Sequence, residues 1–197
     1  MMSIDHFATA IARIDLANAD DPTAVVDGIQ QIASEVLYSR RMTKWLGQLF
    51  PDASEALRLA ARAQHIRRWT LPRSQYPMDR AGYYRWRTTL YSFHADTAAT
   101  ILKDVGYDEA TISRVRSLLK KERLKTNAET QALEDVICVV FLESYFADFA
   151  PKHEEEKVIG ILRRTWAKMS PVGREAALKL PLPPAAAGLV ARALSAG

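Results

Sequence analysis

Two sets of side chains in this 197-residue chain have the types and spacing to do chemistry together. The first is a dense run of arginines and aromatic rings. Between Arg62 and Arg87 stand seven arginines, no lysine and one acid, Asp79, interleaved with Trp69, Tyr76, Tyr83, Tyr84 and Trp86. That stretch alone carries +6, which leaves −2 for the rest of a chain whose net charge is +4. A planar guanidinium gives bidentate contacts to phosphate or carboxylate and stacks on aromatic faces, which an ammonium does not. The second set is an imidazole with acids. His65 closes an alanine-rich stretch just before Ile66-Arg67-Arg68, and Glu134-Asp135 precede the apolar run from Val136 to Leu142. Asp135, Val139, Leu142 and Phe146 share one helical face. If that face is core, an ionised Asp135 must meet a cation, a metal or hydrogen-bond donors. Partnership of Asp135 or Glu134 with a buried arginine is one reading, and acid–base or ligand-positioning work is the other.

The arginine–aromatic run has three readings. Its arginines could snorkel from an exposed helix over packed rings. They could line a pocket for a small anion, with guanidiniums on phosphate and rings stacked on a base. Or they could form a face for nucleic acid. Confinement of the charge to one loop and its flanking helices favours the pocket. Other chemistries lack their motifs: there is no Walker loop, no Gly-x-Gly-x-x-Gly, no His-x-x-x-His, no Cys-x-x-Cys and no serine elbow. The single cysteine, Cys138, lies in the most apolar run, where a thiol is unreactive. No apolar run approaches the roughly 20 residues of a membrane span, and the opening MMSIDHFATAIARID has no basic segment ahead of an apolar one. A cytoplasmic protein without a membrane partner is expected.

The elements that must position these groups read as helical nearly throughout, with no convincing strand alternation, so the expected class is all-α. A first short helix follows a Ser3 cap. Apolar residues from Val25 to Leu49 keep a three-to-four spacing and predict one long helix or two abutting ones. Ser54 caps a helix that runs toward His65; residues 70–78, with two prolines, predict a loop; Asp79 starts a helix that stops at Gly106. Asp108 and Asn127 begin two more, the latter running to about Phe149. A helix follows from the three glutamates at 154–156, and Ser170-Pro171 opens a short one to Leu180. Residues 1–180 are expected to form one helical domain. Residues 181–197 are expected to be a stiff proline linker and a loosely docked alanine-rich helix.

The order of these pieces resembles the histidine–aspartate (HD) phosphohydrolase superfamily over roughly residues 25–150. Tyr38-Ser39-Arg40-Arg41-Met42 stands at the first histidine motif, LAARAQHI ending in His65-Ile66 at the His-Asp pair, and LEDV with Asp135 at the final aspartate. The resemblance implies an HD-like helical bundle. Tyr38 and Ile66 replace two of its four metal ligands, which leaves His65 and Asp135. At closer range YSRRMTKWL, AARAQHIRRW, PRSQYPMDRAGYYRWR and LEDVICVVFLESYFADFAPKHEEEK are similar to domain-of-unknown-function family 4202, from about Phe7 to Leu182.

The expected function is a pocket for a phosphorylated or otherwise anionic small molecule, a nucleotide among the candidates, with metal-independent hydrolysis or group transfer assisted by His65, Asp135 and Glu134. Anion contacts are expected from Arg67, Arg68, Arg73, Arg80 and Arg85, a stacking wall from Trp69, Tyr76 or Tyr84, and further contacts from His94 and Lys121. No cofactor is expected. The first alternative is an RNA- or protein-binding module on the same basic aromatic surface. The second is a divalent-metal phosphohydrolase with His65 and Asp135 as ligands.

Overall fold

Asp5, Ser54, Asp79, Asp108, Asn127 and Ser170 each accept a backbone N–H two or three residues further on, and each opens a helix. The computed structural model describes residues 5–195, so the expected cap at Ser3 lies outside the described residues. The capped helices are α1 (His6–Ala19), α3 (Glu55–Ala63), α4 (Arg80–Val105), α5 (Glu109–Leu119), α6 (Ala128–Ser144) and α9 (Pro171–Leu178). Between them lie α2 (Ser34–Leu49), α7 (Phe146–Phe149) and α8 (Glu155–Lys168), and α10 (Pro184–Ser195) follows. The fold is all-α. Gly106 (φ +101°) closes α4: its N–H reaches the Lys103 carbonyl and the N–H of Tyr107 reaches that of Leu102, the paired bonds of a Schellman stop.

Residues 24–33 correct the sequence reading. They form an antiparallel hairpin, β1 (Ala24–Asp27) with β2 (Gln30–Ala33), pairing Asp27 with Gln30 across Gly28-Ile29. Gly28 has φ +64° and Ile29 does not leave the negative side, which is the II′ arrangement that suits twisted strands. The apolar spacing that resembled a helix here consists of β-branched residues that stay mostly exposed, Val26 and Ile29 among them. The helix expected to reach Phe149 also breaks at Tyr145 (φ −130°) before α7.

Two apolar cores share one helix. The larger is built from α1 to α6, with Ile14, Met42, Leu59, Leu102 and Leu118 buried in it. The smaller joins α6 to α7, α8, α9 and α10 around Phe146, Val158 and Leu162. Leu133, Val136 and Val140 of α6 face the first, and Cys138, Val139 and Leu142 face the second. A helix covered on both sides needs an apolar run without a polar stripe, which is what residues 136–142 supply. The last helix is docked, not loose: Ala186 and Ala193 are buried, Arg163 donates to the Ala193 carbonyl, and Arg192 pairs with Glu155 at 3.0 Å. Among the described residues no helix is long and apolar enough to cross a membrane.

Candidate functional site

After α3 the chain must turn sharply, and the turn aims His65 and Arg68. Arg67 takes a left-handed conformation (φ +53°), uncommon outside glycine. It is held there by its N–H donating to Asn18 Oδ1 of α1. Ile66 is fully buried, and its carbonyl lies 2.9 Å from His94 Nδ1 of α4. A carbonyl only accepts, so His94 carries its proton on Nδ1 and keeps a lone pair on Nε2. The following loop is pinned to α4 by Trp86 Nε1 on the Leu71 carbonyl. Gly82 is required beneath it, since a Cβ there would lie 2.0 Å from the Pro77 carbonyl oxygen.

Two helices, α2 and α4, and the turn after α3 bring side chains to His65. From α2, Tyr38 stacks on the imidazole at 3.9 Å between centroids, and Glu35, one turn earlier, has Oε2 3.5 Å from Nδ1. Arg68 Nη1 lies 3.4 Å from Nε2. An arginine only donates, so Nε2 holds the lone pair and Nδ1–H faces Glu35. On α4, Tyr83, Arg87, Tyr91 and His94 fall on one face; Arg87 donates to both tyrosine hydroxyls, and His94 sits 6.0 Å from the His65 ring. Lys121, in the turn after α5 and itself left-handed (φ +58°), lies 5.5 Å from the Tyr91 ring centre. Its ammonium is 2.5 Å from Glu134 of α6, whose second oxygen faces Lys168 at 3.7 Å.

These surroundings move the protons. Burial pushes the Glu35 carboxyl up to about 8, against the pull of Arg68. Burial, then Arg68, His94, Lys121 and Arg87, hold His65 well below the ordinary imidazole value. Burial brings His94 down to about 4 although its bond to the Ile66 carbonyl opposes this. Burial would raise Glu134, but Lys121, Lys168 and Arg87 overcome it and keep the carboxylate below its usual range. Near neutral pH the site therefore sets a protonated carboxyl beside an unprotonated imidazole, an inversion of their ordinary order.

A pH dependence of stability follows. Between about 4.5 and 8 the folded protein holds a proton on Glu35 that the unfolded chain releases, so this contribution falls as pH rises. His94 acts oppositely, because between about 4 and 6.5 the unfolded chain binds the extra proton and stability rises with pH. By about one unit above 6.5 His65 and His94 are neutral in both states and Glu35 remains. The melting temperature is expected to decline from pH 6.5 to 8 and to flatten in Glu35→Gln. An undiminished decline in that variant would contradict the assignment.

Of the residues singled out in the sequence, His65, Arg68, His94, Lys121 and Glu134 are brought together. Asp135 is not among them. It is fully buried and spends its oxygens on Ser170 N–H (2.8 Å), Ser170 Oγ and Gln131 Nε2 (3.0 Å), fastening the start of α9. Gly173 packs so closely that a Cβ there would lie 2.7 Å from the carboxyl carbon. The expected His65–Asp135 couple is therefore replaced by His65–Glu35, because the burial demand on Asp135 is met by α9. Arg67, Arg80, Tyr84 and Arg85 are exposed, Arg80 lying over Tyr84 at 5.6 Å. Arg73 donates to the carbonyls of Tyr76 and Asp79 and so ties its own loop, and Trp69 is half-buried at the turn. Arg62 is taken by Asp15 in a bidentate pair.

Glu35, Tyr38 and Arg87 were missed as site residues. The signal was available in the i, i+3 spacing of Glu35 with Tyr38 and the i, i+4, i+8, i+11 spacing of Tyr83, Arg87, Tyr91 and His94. The metal reading does not fit the donors. Ile66 is core, Asp135 is fully engaged, and among the described residues no three His, Cys, Asp or Glu side chains gather as a metal site.

The family model described as Domain of unknown function (DUF4202) matches residues 8–190. The chain belongs to this family. In this DUF4202 chain the matched span takes in every buried residue of the two cores except Ala193, and every residue of the His65 cluster. No curated protein and no solved structure matches it.

Proposed function

We propose that the His65 cluster binds a phosphorylated or otherwise anionic small molecule, with Arg68, Arg87 and Lys121 as its cationic contacts and His65 Nε2 as the proton acceptor for hydrolysis or group transfer. One observation carries this reading. Three cations from three separate elements act on a single imidazole, and among the described residues neither Arg68 nor Arg87 has a carboxylate within ion-pair distance. Arg68 and Arg87 also repel each other. Desolvated like charges are costly, and an anion relieves the cost through charge-assisted hydrogen bonds. Nδ1–H faces Glu35, which leaves the Nε2 lone pair toward Arg68 and toward any hydroxyl or water held beside a bound anion.

The test is a thermal-shift screen of inorganic phosphate, nucleotides and sugar phosphates. A ligand at 100 times its Kd stabilises by about 2.7 kcal/mol, so phosphate-bearing compounds should raise the melting temperature in wild type and fail to do so in Arg87→Met. Absence of a shift with every phosphate compound would overturn the reading. The exposed Arg67, Arg80 and Arg85, with Tyr84, favour RNA as the second reading. RNA binding would fall steeply with salt, survive Arg87→Met and be lost when those three arginines are removed.

A further inference from the structure

Two polar atoms flanking His65 are buried without a hydrogen-bond partner among the described residues: Tyr38 Oη and His94 Nε2. Their side chains are more than nine-tenths buried, at 7% and 2% exposed. A buried polar atom left unpaired costs about 1–3 kcal/mol, and two beside one functional imidazole mark a place built for something polar. Their chemistry is defined. His94 Nε2 is an acceptor because Nδ1 donates to the Ile66 carbonyl. The Tyr38 phenol keeps its proton, since burial and Glu35 both oppose its ionisation. Both lie in the field of Arg68, the guanidinium that also faces His65 Nε2.

We infer that the ligand is a phosphorylated polyol or sugar, whose anionic group meets Arg68, Arg87 and Lys121 while its hydroxyls meet Tyr38 Oη and His94 Nε2. The inference rests on the anion-site reading and adds the substrate class to it. Phosphate or carboxylate oxygens only accept and leave His94 Nε2 unanswered. An ammonium would answer it but would stand among three cations. A hydroxyl donates to the imidazole lone pair and accepts from the phenol. Sites built to hydrogen-bond a hydroxyl reject the analogue that lacks it, because their own buried groups are then left unpaired.

The experiment is isothermal titration of the full chain with glycerol 3-phosphate and with propyl phosphate, which carries the same phosphate on a chain without hydroxyls. Wild type is expected to bind glycerol 3-phosphate at least tenfold more tightly. Tyr38→Phe keeps the ring stacked on His65, and should reduce that ratio severalfold. Equal affinities in wild type would mean that solvent serves both atoms, and would overturn the inference while leaving the anion site standing. A ratio unaltered in both Tyr38→Phe and His94→Phe would overturn it too. Binding of neither ester removes the anion site and this inference together.

Discussion

Arg68→Ala is expected to weaken binding of phosphorylated ligands by about 10- to 100-fold, as loss of a hydrogen bond to a charged group predicts, without unfolding the protein. The two effects separate because of how Arg68 is held. It lies 4.9 Å over the Trp86 ring and next to His65 Nε2, with no carboxylate in ion-pair contact among the described residues, and burial depresses its own pKa. Its removal deletes a desolvated cation and relieves Arg87, so little native-state energy is lost. A change of about 1 kcal/mol would move the melting temperature by roughly 2–4 °C in a chain of this size, and no larger shift is expected without ligand. Titration calorimetry beside thermal melts reads both quantities. Arg80→Ala, on the exposed face over Tyr84, is the control and should leave the affinity within about twofold, as a solvated surface charge does. Undiminished affinity in Arg68→Ala would sink the assignment.

Asp135→Ala is expected to show the reverse pattern. Its carboxylate answers three donors, two on Ser170 and one on Gln131, in a place closed to water. Truncation leaves those donors unanswered and opens a hole beneath Gly173, at a cost of about 3 kcal/mol or more. Urea unfolding should show a lower midpoint, with the loss centred on α9 and the smaller core. The folded fraction should still bind phosphorylated ligands, with a far smaller loss than Arg68→Ala shows, because the His65 cluster loses no direct contact and feels the change only through Lys121. Preserved stability with lost binding would return Asp135 to the site.

Most element boundaries were legible because a cap is a local event. Ser54, Asp79, Asp108, Asn127 and Ser170 announce their helices with an oxygen placed two or three residues before the N–H it answers. Gly28 carried a comparable local signal for the hairpin, but the spacing of Val25, Val26, Ile29 and Ile32 also satisfies a helical template. The site was legible by half. His65, Arg68, His94, Lys121 and Glu134 stood out by type. Which carboxylate meets His65 did not, because periodicity says that a face is covered and not what covers it. Asp135 is covered by a cap 35 residues downstream, and Glu35 reaches His65 only because α2 and α3 pack side by side. The number of arginines also overstated how many cations gather around His65. Arg62 is spent on Asp15, Arg73 on its loop, and several others face solvent, whereas Arg87 acts on His65 from between two phenols.

The central position of α6 gives the molecule a built-in linkage. Glu134 and Asp135 are adjacent, yet one grips Lys121 at the His65 cluster and the other grips the first turn of α9. Lys168 closes the loop, its ammonium on Glu134 and its carbonyl on the Gln131 amide that also reaches Asp135. Torsion of α6 about its own axis cannot adjust one carboxylate without dragging the other. The C-terminal helices thus act as a brace, and slackness in their packing would be felt as misalignment of Lys121.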